Sequence, residues 1–239
     1  MKPDDHKMYD SNTFVAPKCS RENVDTFLAR KAIFESLLLE LGCFKGTLLD
    51  VGCGNKPYEQ VLLSSPSQLV NYIGLDIPSE RYNEADIFWD GVDIPLGSNS
   101  VDCAIATEVL EHCPNPAKVT KEIARVLRND GFFFFSVPFL WPLHDAPYDE
   151  YRYTPYSLHR ILTDAGFKDI KLSANGGWDA SLLQMFGLWA KRRPKSKYWH
   201  YVSSQIAKLL ISNFEESSAS AMGLKDQSMI TGICGTCRK

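Results

Sequence analysis

Apolar residues along this chain follow two rhythms. Short runs at Thr47–Val51, Val70–Asp76, Ala85–Trp89, Val101–Ala106, Phe132–Val137 and Phe167–Ser173 have the length of strands, with Val101–Ala106 and Phe132–Val137 the most apolar. Between them the spacing turns helical. Ser20-Arg21-Glu22-Asn23 suits a cap, and Val24, Phe27, Leu28, Ala32, Phe34, Leu37, Leu38 and Leu41 lie amphipathically behind it, with Gly42 as the stop. A short helix is predicted over Pro57–Ser65. Another runs over Pro116–Arg128, with Ala117, Ile123, Val126 and Leu127 toward the sheet and Asn129-Asp130-Gly131 as its close. Thr154-Pro155 is an N-cap followed by proline at the first helical position, so a helix runs to Ala165 and stops at Gly166. Strand and helix in alternation predict an α/β domain with a parallel sheet. Ile230–Lys239 reads as a closing strand.

Between the last two strands the rhythm is helical only, roughly over residues 175–227. Leu182, Leu183, Met185, Phe186, Leu188 and Trp189 predict one apolar helix. Tyr198, Trp199, Val202, Ile206, Leu209, Leu210 and Phe214 predict a second, with the basic run Lys191–Lys197 between them. Basic charge beside apolar helices suits an anionic membrane surface, a lipid-linked substrate or a homodimer contact through the 179–214 helices. Packing on the domain with a solvated basic turn is the plainer alternative. Residues 1–19 read as a loosely held polar arm, 20–239 as one domain, and Glu215–Ala221 as a mobile Ser- and Ala-rich stretch.

The candidate chemistry begins where the first strand ends. Leu48-Leu49-Asp50-Val51-Gly52-Cys53-Gly54 runs a buried strand into a turn without side chains at two positions, which lets a nucleotide-like ligand approach the backbone. The dinucleotide fingerprint would need a third glycine where this chain has Pro57. The second strand ends in Asp76, about twenty residues on, where a nucleotide-binding fold sets a carboxylate against ribose hydroxyls.

With these pieces go Gly74-Leu75-Asp76, Asp90–Leu96 leading to Ser100-Val101-Asp102, Thr107–His112, and Arg125–Gly131. Together and in this order they resemble the class I S-adenosylmethionine-dependent methyltransferases of the type 11 kind, over about residues 45–175. The resemblance implies a doubly wound, seven-stranded, mostly parallel Rossmann-like sheet whose last strand is antiparallel, with the helical insertion before that strand. On an antiparallel strand Cys234 and Cys237 would face opposite ways, against a thiol pair. It implies S-adenosyl-L-methionine as cofactor, held by Asp50, Gly52, Cys53, Gly54, Asp76, Ile77, Asp90, Gly91, Thr107, Glu108 and His112. Asp90 is matched to the adenine amine, with Asp93 as competitor, and both are also ordinary turn residues. Glu108 would line the methionine end, and Glu111 would bond locally. The first helix either lies across the cofactor pocket or covers a sheet face.

Pro138–Tyr153 leaves the sheet's ligand edge rich in aromatic and ionisable groups, which marks an acceptor site. Asp145, Tyr148, Tyr151 and Arg152 are its candidate substrate-binding residues, and His112 and His144 the candidate bases. The expected reaction is O- or N-methylation of a small-molecule or saccharide-like acceptor. A non-catalytic, regulatory member of the fold and an NAD(P)-dependent oxidoreductase are the rivals.

Composition narrows the setting. A chain of 239 residues that is 44% hydrophobic buries a sizeable core. A net charge of −3 gives no general drive toward nucleic acid, and none is expected as partner. No apolar run reaches the ~18–20 residues of a bilayer span. Seven cysteines without a second Cys or His pair of zinc-like spacing predict reduced thiols and no metal. A cytoplasmic protein is expected, with peripheral membrane contact as the alternative.

Overall fold

Seven strands form one sheet in the order β3-β2-β1-β4-β5-β7-β6. They are β1 (Lys45–Val51), β2 (Gln68–Asp76), β3 (Ile87–Phe88), β4 (Val101–Thr107), β5 (Leu127–Pro138), β6 (Lys168–Asn175) and β7 (Gly232–Arg238). The computed structural model describes residues 13–80, 82–193, 196–218, 224 and 228–239. Most of the expected arm (1–12), residues 194 and 195 of the basic run, and 219–221 of the Ser/Ala stretch lie outside the described residues. The pairings β1–β2, β1–β4, β2–β3 and β4–β5 are parallel, and β7 runs antiparallel to both β5 and β6. The chain leaves β1 toward β2 and β3, then returns on the other side as β4. That reversal puts a topological switch point at the carboxyl ends of β1 and β4, where open sheets of this kind take ligands.

Alternation along each strand feeds two cores. Leu49, Ala104, Ala106, Phe133 and Phe135 pack on one face with α3 (Pro116–Val126) and α4 (Pro155–Asp164). Leu48, Cys103, Ile105, Phe132 and Phe134 pack on the other with α1 (Phe27–Leu39) and α2 (Glu59–Leu62). Ile33, Phe34 and Leu37 of α1 lie in this second core, so the first helix covers a sheet face. Cys234 and Cys237 fall into opposite cores, as expected of strand alternation. None of the seven cysteines is in a disulfide.

Local chemistry sets the helix ends. Asn115 caps α3 by accepting from the Lys118 N–H, with Pro116 in the first turn. Thr154 and Ser157 form a reciprocal capping box around Pro155 at the start of α4. Two expected starts move. The first helix begins at Phe27 rather than directly behind a Ser20–Asn23 cap, because residues 21–26 wind in turns and Asn23 Oδ1 accepts from the Ser20 N–H at 2.8 Å. The helix expected from Pro57 is a single turn beginning at Glu59. Lys56 sits at φ +48° ahead of the proline, so Pro57 belongs to the glycine turn and not to the helix.

The insertion folds as α5 (Trp178–Arg192) and α6 (Lys197–Ser218), two helices packed on each other. Leu183, Ala190, Ala207 and Ile211 close a third core with Val24, Phe27 and Leu28. A Cβ on Gly187 would stand 2.2 Å from the Val24 carbonyl oxygen, so only glycine lets α5 approach this closely. Among the described residues no helix is long and apolar enough to cross a membrane.

Candidate active site

The turn after β1 is built by the chain on both sides of it. Gly52 and Gly54 take φ of +70° and +53°, which side chains disfavour. The N–H groups of Gly52 and Cys53 both donate to the Leu75 carbonyl, at 2.8 and 3.1 Å, and tie the turn to the end of β2. A Cβ on Gly52 would lie 2.5 Å from Val109, whereas one on Gly54 would meet only the Tyr82 ring, at 3.7 Å. Asp76 closes β2. Its Oδ2 accepts from the Gly54 N–H and its Oδ1 from the Ile77 N–H, each at 2.8 Å. Each oxygen keeps a lone pair beyond these bonds. Partial burial raises the Asp76 pKa, and the two N–H groups act against that rise.

Beneath the turn, Cys53 is buried, and burial raises its thiol pKa. Asp50 is buried as well. Tyr72 donates its hydroxyl to Asp50 Oδ2, Oδ1 has no partner, and burial pushes the acid up to about 7. Lys56 reaches across Gly74 to Asp86 at 2.7 Å, and Asp86 in turn accepts from the Gly74 N–H at 2.7 Å.

Next to Asp76 the chain brings Ile77, Asp90 and Gly91 together. A Cβ on Gly91, at φ +80°, would touch Ile77, and the Trp89 N–H donates to the Asp76 carbonyl. Asp90 Oδ1 accepts from the Val92 and Asp93 N–H groups at 2.8 Å, holding its own turn, and these bonds lower its pKa. Its competitor Asp93 pairs with Lys118 of α3 at 3.0 Å.

The end of β4 carries the second group. Thr107 is half-buried and Glu108 adopts φ +55°. Ser136 Oγ donates to Glu108 Oε1 at 2.9 Å, and burial pushes this carboxyl up to about 7. A single turn of 3-10 helix, Leu110–His112, follows. Glu111 is fully buried with no hydrogen bond at either carboxylate oxygen, which raises its pKa well above the ordinary range. His112 Nδ1 lies 3.1 Å from the Tyr148 carbonyl oxygen, and burial lowers the ring's pKa. The His144 ring stands 4.7 Å from it, edge to face.

Arg152 holds the loop that carries His144. It grips Asp149 with two nitrogens, at 2.6 and 2.9 Å, and donates to the carbonyls of Tyr151, Pro142 and Trp141. That contact holds the Asp149 acid well below its usual range. Tyr151 donates to the Pro114 carbonyl and stacks on Tyr153, which is buried. Asp145, at φ +46°, and the Tyr148 ring are exposed on the loop's outer side. So His112, His144 and Tyr148 meet in one place, while Arg152 and Tyr151 are engaged in shaping the loop.

Residues 49–135, which include both the glycine turn and the Glu108–His112 segment, match the family model of the methyltransferase domain. The matched region and the relatives make this chain similar to class I S-adenosylmethionine-dependent methyltransferases. A probable S-adenosylmethionine-dependent methyltransferase of Mycobacterium tuberculosis is 28% identical over 142 residues, 54% of this chain and 52% of the relative. The chain thus spans about half the length of such curated relatives. An uncharacterized methyltransferase of Mycobacterium ulcerans is 25% identical over 190 residues, 70% of this chain and 73% of its own. A methyltransferase structure from Archaeoglobus fulgidus superposes with a TM-score of 0.56 at 16% identity, covering 95% of this chain and 97% of that one. A putative sarcosine dimethylglycine methyltransferase from Galdieria sulphuraria gives 0.57 at 17% identity, covering 91% and 90%. These two show a shared fold.

Three residues around the turn escaped sequence reasoning. Tyr82, in a polar link without periodicity, faces Gly54. The Lys56–Asp86 pair under the turn joins residues from separate segments, and no local pattern marks it. A cavity of about 460 Å³ lies at the other end of the sheet, lined by Glu40, Cys43, Phe132, Lys171 and Arg238. None of the motif residues faces it, and the switch point remains the candidate site.

Proposed function

We propose that the chain transfers a methyl group from S-adenosyl-L-methionine to an oxygen or nitrogen of a small-molecule or saccharide-like acceptor. The observation that carries this reading is the Asp76 carboxylate at the switch point. It is fixed by the Gly54 and Ile77 N–H groups and keeps lone pairs for a diol. The residues fit an adenosyl group. Positive-φ glycines leave the turn bare, the Tyr82 ring stands where a Cβ on Gly54 would just touch it, and Ile77 flanks Gly91. Asp76 would hold the ribose, Ile77, Asp90 and Gly91 the adenine, and Asp50, Gly52, Cys53, Gly54, Thr107 and Glu108 the amino-acid end. When bound, the cofactor supplies a methyl carbon made electrophilic by its sulfonium. The chain's part is to orient the acceptor and exclude water.

The loop from Trp141 to Tyr153 forms the acceptor side, with Tyr148 and Asp145 at its outer surface. His112 is suited to take a proton from a hydroxyl. A carbonyl can only accept, so the proton sits on Nδ1 and leaves Nε2 unprotonated, and burial favours the neutral ring. His144 is the other base candidate.

Outside the site, α5 and α6 expose Trp178, Leu182, Trp189, Tyr198, Trp199 and Leu209 beside Arg193 and Lys197. That face suits an anionic membrane surface or a second copy of the chain, which vesicle flotation and sedimentation distinguish. Seven cysteines, none in a disulfide, suit a reducing compartment such as the cytoplasm.

Calorimetric titration with S-adenosylhomocysteine tests the core of the proposal. Asp76→Ala is expected to weaken binding by ~1.5–3 kcal/mol, the worth of a hydrogen bond to a charged group. Equal affinity in the variant removes Asp76 from this role.

A further inference from the structure

We propose that Glu111, His112 and His144 form a binding site for a divalent transition-metal cation. Each offers one ligand atom, and these atoms all lie within 4.8 Å of one another. The burial of Glu111 is the strongest reason to look for a ligand here. Its side chain is inaccessible to solvent and neither carboxylate oxygen has a hydrogen-bond donor. A carboxylate in that setting must keep a proton or meet a cation. The nearby cationic side chain, Arg152, is already held by both oxygens of Asp149. Glu108 adds a second, partly buried carboxyl to the same neighbourhood.

The imidazoles are prepared in the way metal-binding histidines are. The Tyr148 carbonyl fixes the His112 proton on Nδ1, so the lone pair of Nε2 faces Glu111 Oε1 across 3.8 Å. That separation is too long for a hydrogen bond. It is close to the ~3.3–3.5 Å between two ligand atoms that each stand ~2.0–2.2 Å from a tetrahedral ion. His144 Nδ1 stands 3.2 Å from Asp149 Oδ2, a carboxylate beside the ring of the kind that supports metal-binding histidines. Backbone bonds from Glu150 and Tyr151 to the Glu111 carbonyl hold the loop, and with it His144, over the acid.

Two imidazoles and one carboxylate suit zinc, manganese, iron(II) or cobalt rather than magnesium or calcium, and three protein ligands leave positions open. With the ion in place the two histidines are ligands and not bases. The inference does not rest on methyl transfer, because the site is complete without the cofactor.

The test uses chelator-stripped, tag-free protein titrated calorimetrically with Mn²⁺ and with Zn²⁺, with metal content measured after dialysis. One ion per chain is expected, with affinity lowered at least ~10-fold in Glu111→Gln and in His144→Ala. His159→Gln, at an exposed position of α4, is expected to bind as the parent does. S-adenosylhomocysteine titration of each variant reports folding, and His144→Ala, in a loop, decides the matter if Glu111→Gln does not fold. Absence of saturable binding below ~1 mM overturns the site, as does binding that both variants leave unchanged. Cofactor binding without metal binding sinks this inference alone. Metal binding without cofactor binding sinks the methyl-transfer reading alone.

Discussion

The glycine turn and the acid–histidine cluster occupy the same edge of the same sheet, yet they satisfy their polar groups in opposite ways. At the turn, Asp76 spends one bond per oxygen on backbone N–H groups, and Lys56 and Asp86 neutralise each other below. The seat holds its shape with nothing bound. At the cluster, Glu111 keeps both oxygens without a hydrogen bond inside the protein, and His112 spends its Nδ1 on the Tyr148 carbonyl. A partnered site is ready for a ligand that adds to its bonds. An unpartnered one carries a standing cost that a cation or a proton must offset. The carboxylates on the two sides are therefore expected to respond differently to substitution.

The sharpest way to break this contrast is to remove what holds the cluster's loop. Asp149 is nearly buried and paired through both oxygens to Arg152. Asp149→Ala leaves the guanidinium without its partner, and a loss of about 3 kcal/mol in denaturant stability is expected. Affinity for S-adenosylhomocysteine should stay within a few-fold of the parent if the turn stands on its own. A matching collapse of both properties would show that the two regions are one unit.

Asp50 tests the turn's side through pH. Burial pushes its pKa from 3.8 up to about 7 in the fold. Between those values the folded chain binds more protons than the unfolded chain, so stability falls as pH rises. The penalty is absent below about pH 4, grows toward pH 7 and then levels, on the order of 2–4 kcal/mol. Asp50→Asn keeps an acceptor for the Tyr72 hydroxyl and removes the charge. Urea midpoints across pH 4–8 should decline in the parent and decline less in the variant. Parallel curves would mean that Asp50 does not titrate in this window.

The sequence carried much of the fold because burial on both sheet faces leaves a legible trace. Phe132–Val137 and Val101–Ala106 are strongly apolar runs interrupted only by Ser136 and Asp102, and both are central strands. The cap at Thr154-Pro155 was equally plain, as was the helix start at Pro116. Boundaries failed where side chains bond to nearby backbone, as Asn23 does ahead of α1, or where a proline belongs to the turn before a helix, as Pro57 does. The site divides along the same line. Gly52, Gly54 and Asp76 are tied by one strand pairing, and their order in the chain announces them. Glu111 and His144 meet only because the loop after β5 folds back over the Leu110–His112 turn, so no ligand spacing exists to be read. Arg192 makes the same point from the insertion. In sequence it belongs to a basic run, whereas in the fold it lies over the Trp141 ring and pairs with Asp25.

A smaller effect separates shape from occupancy at the turn. Gly54→Ala puts a side chain at φ +53°, which costs roughly 1–2 kcal/mol of stability, while the new Cβ only touches Tyr82. If that space receives a ligand, the affinity for S-adenosylhomocysteine should fall by more than the stability loss accounts for. Binding unchanged beside lowered stability would leave the glycine a purely conformational role.

The finest test concerns whether the insertion reports to the acceptor side. Arg192 stands 5.5 Å over the Trp141 ring and 3.3 Å from Asp25, so it is one point where α5, the N-terminal segment and the loop meet. A partly exposed cation–π contact is worth ~0.5–1 kcal/mol, and Arg192→Ala should change global stability by no more than about that. The informative readout is hydrogen exchange at Leu143–Glu150. Faster exchange there, with the glycine turn unchanged, means that the insertion braces the loop holding His144 and leaves the cofactor seat alone. Uniform exchange rates would confine Arg192 to its salt bridge with Asp25 and make the helical pair a bystander to both sites.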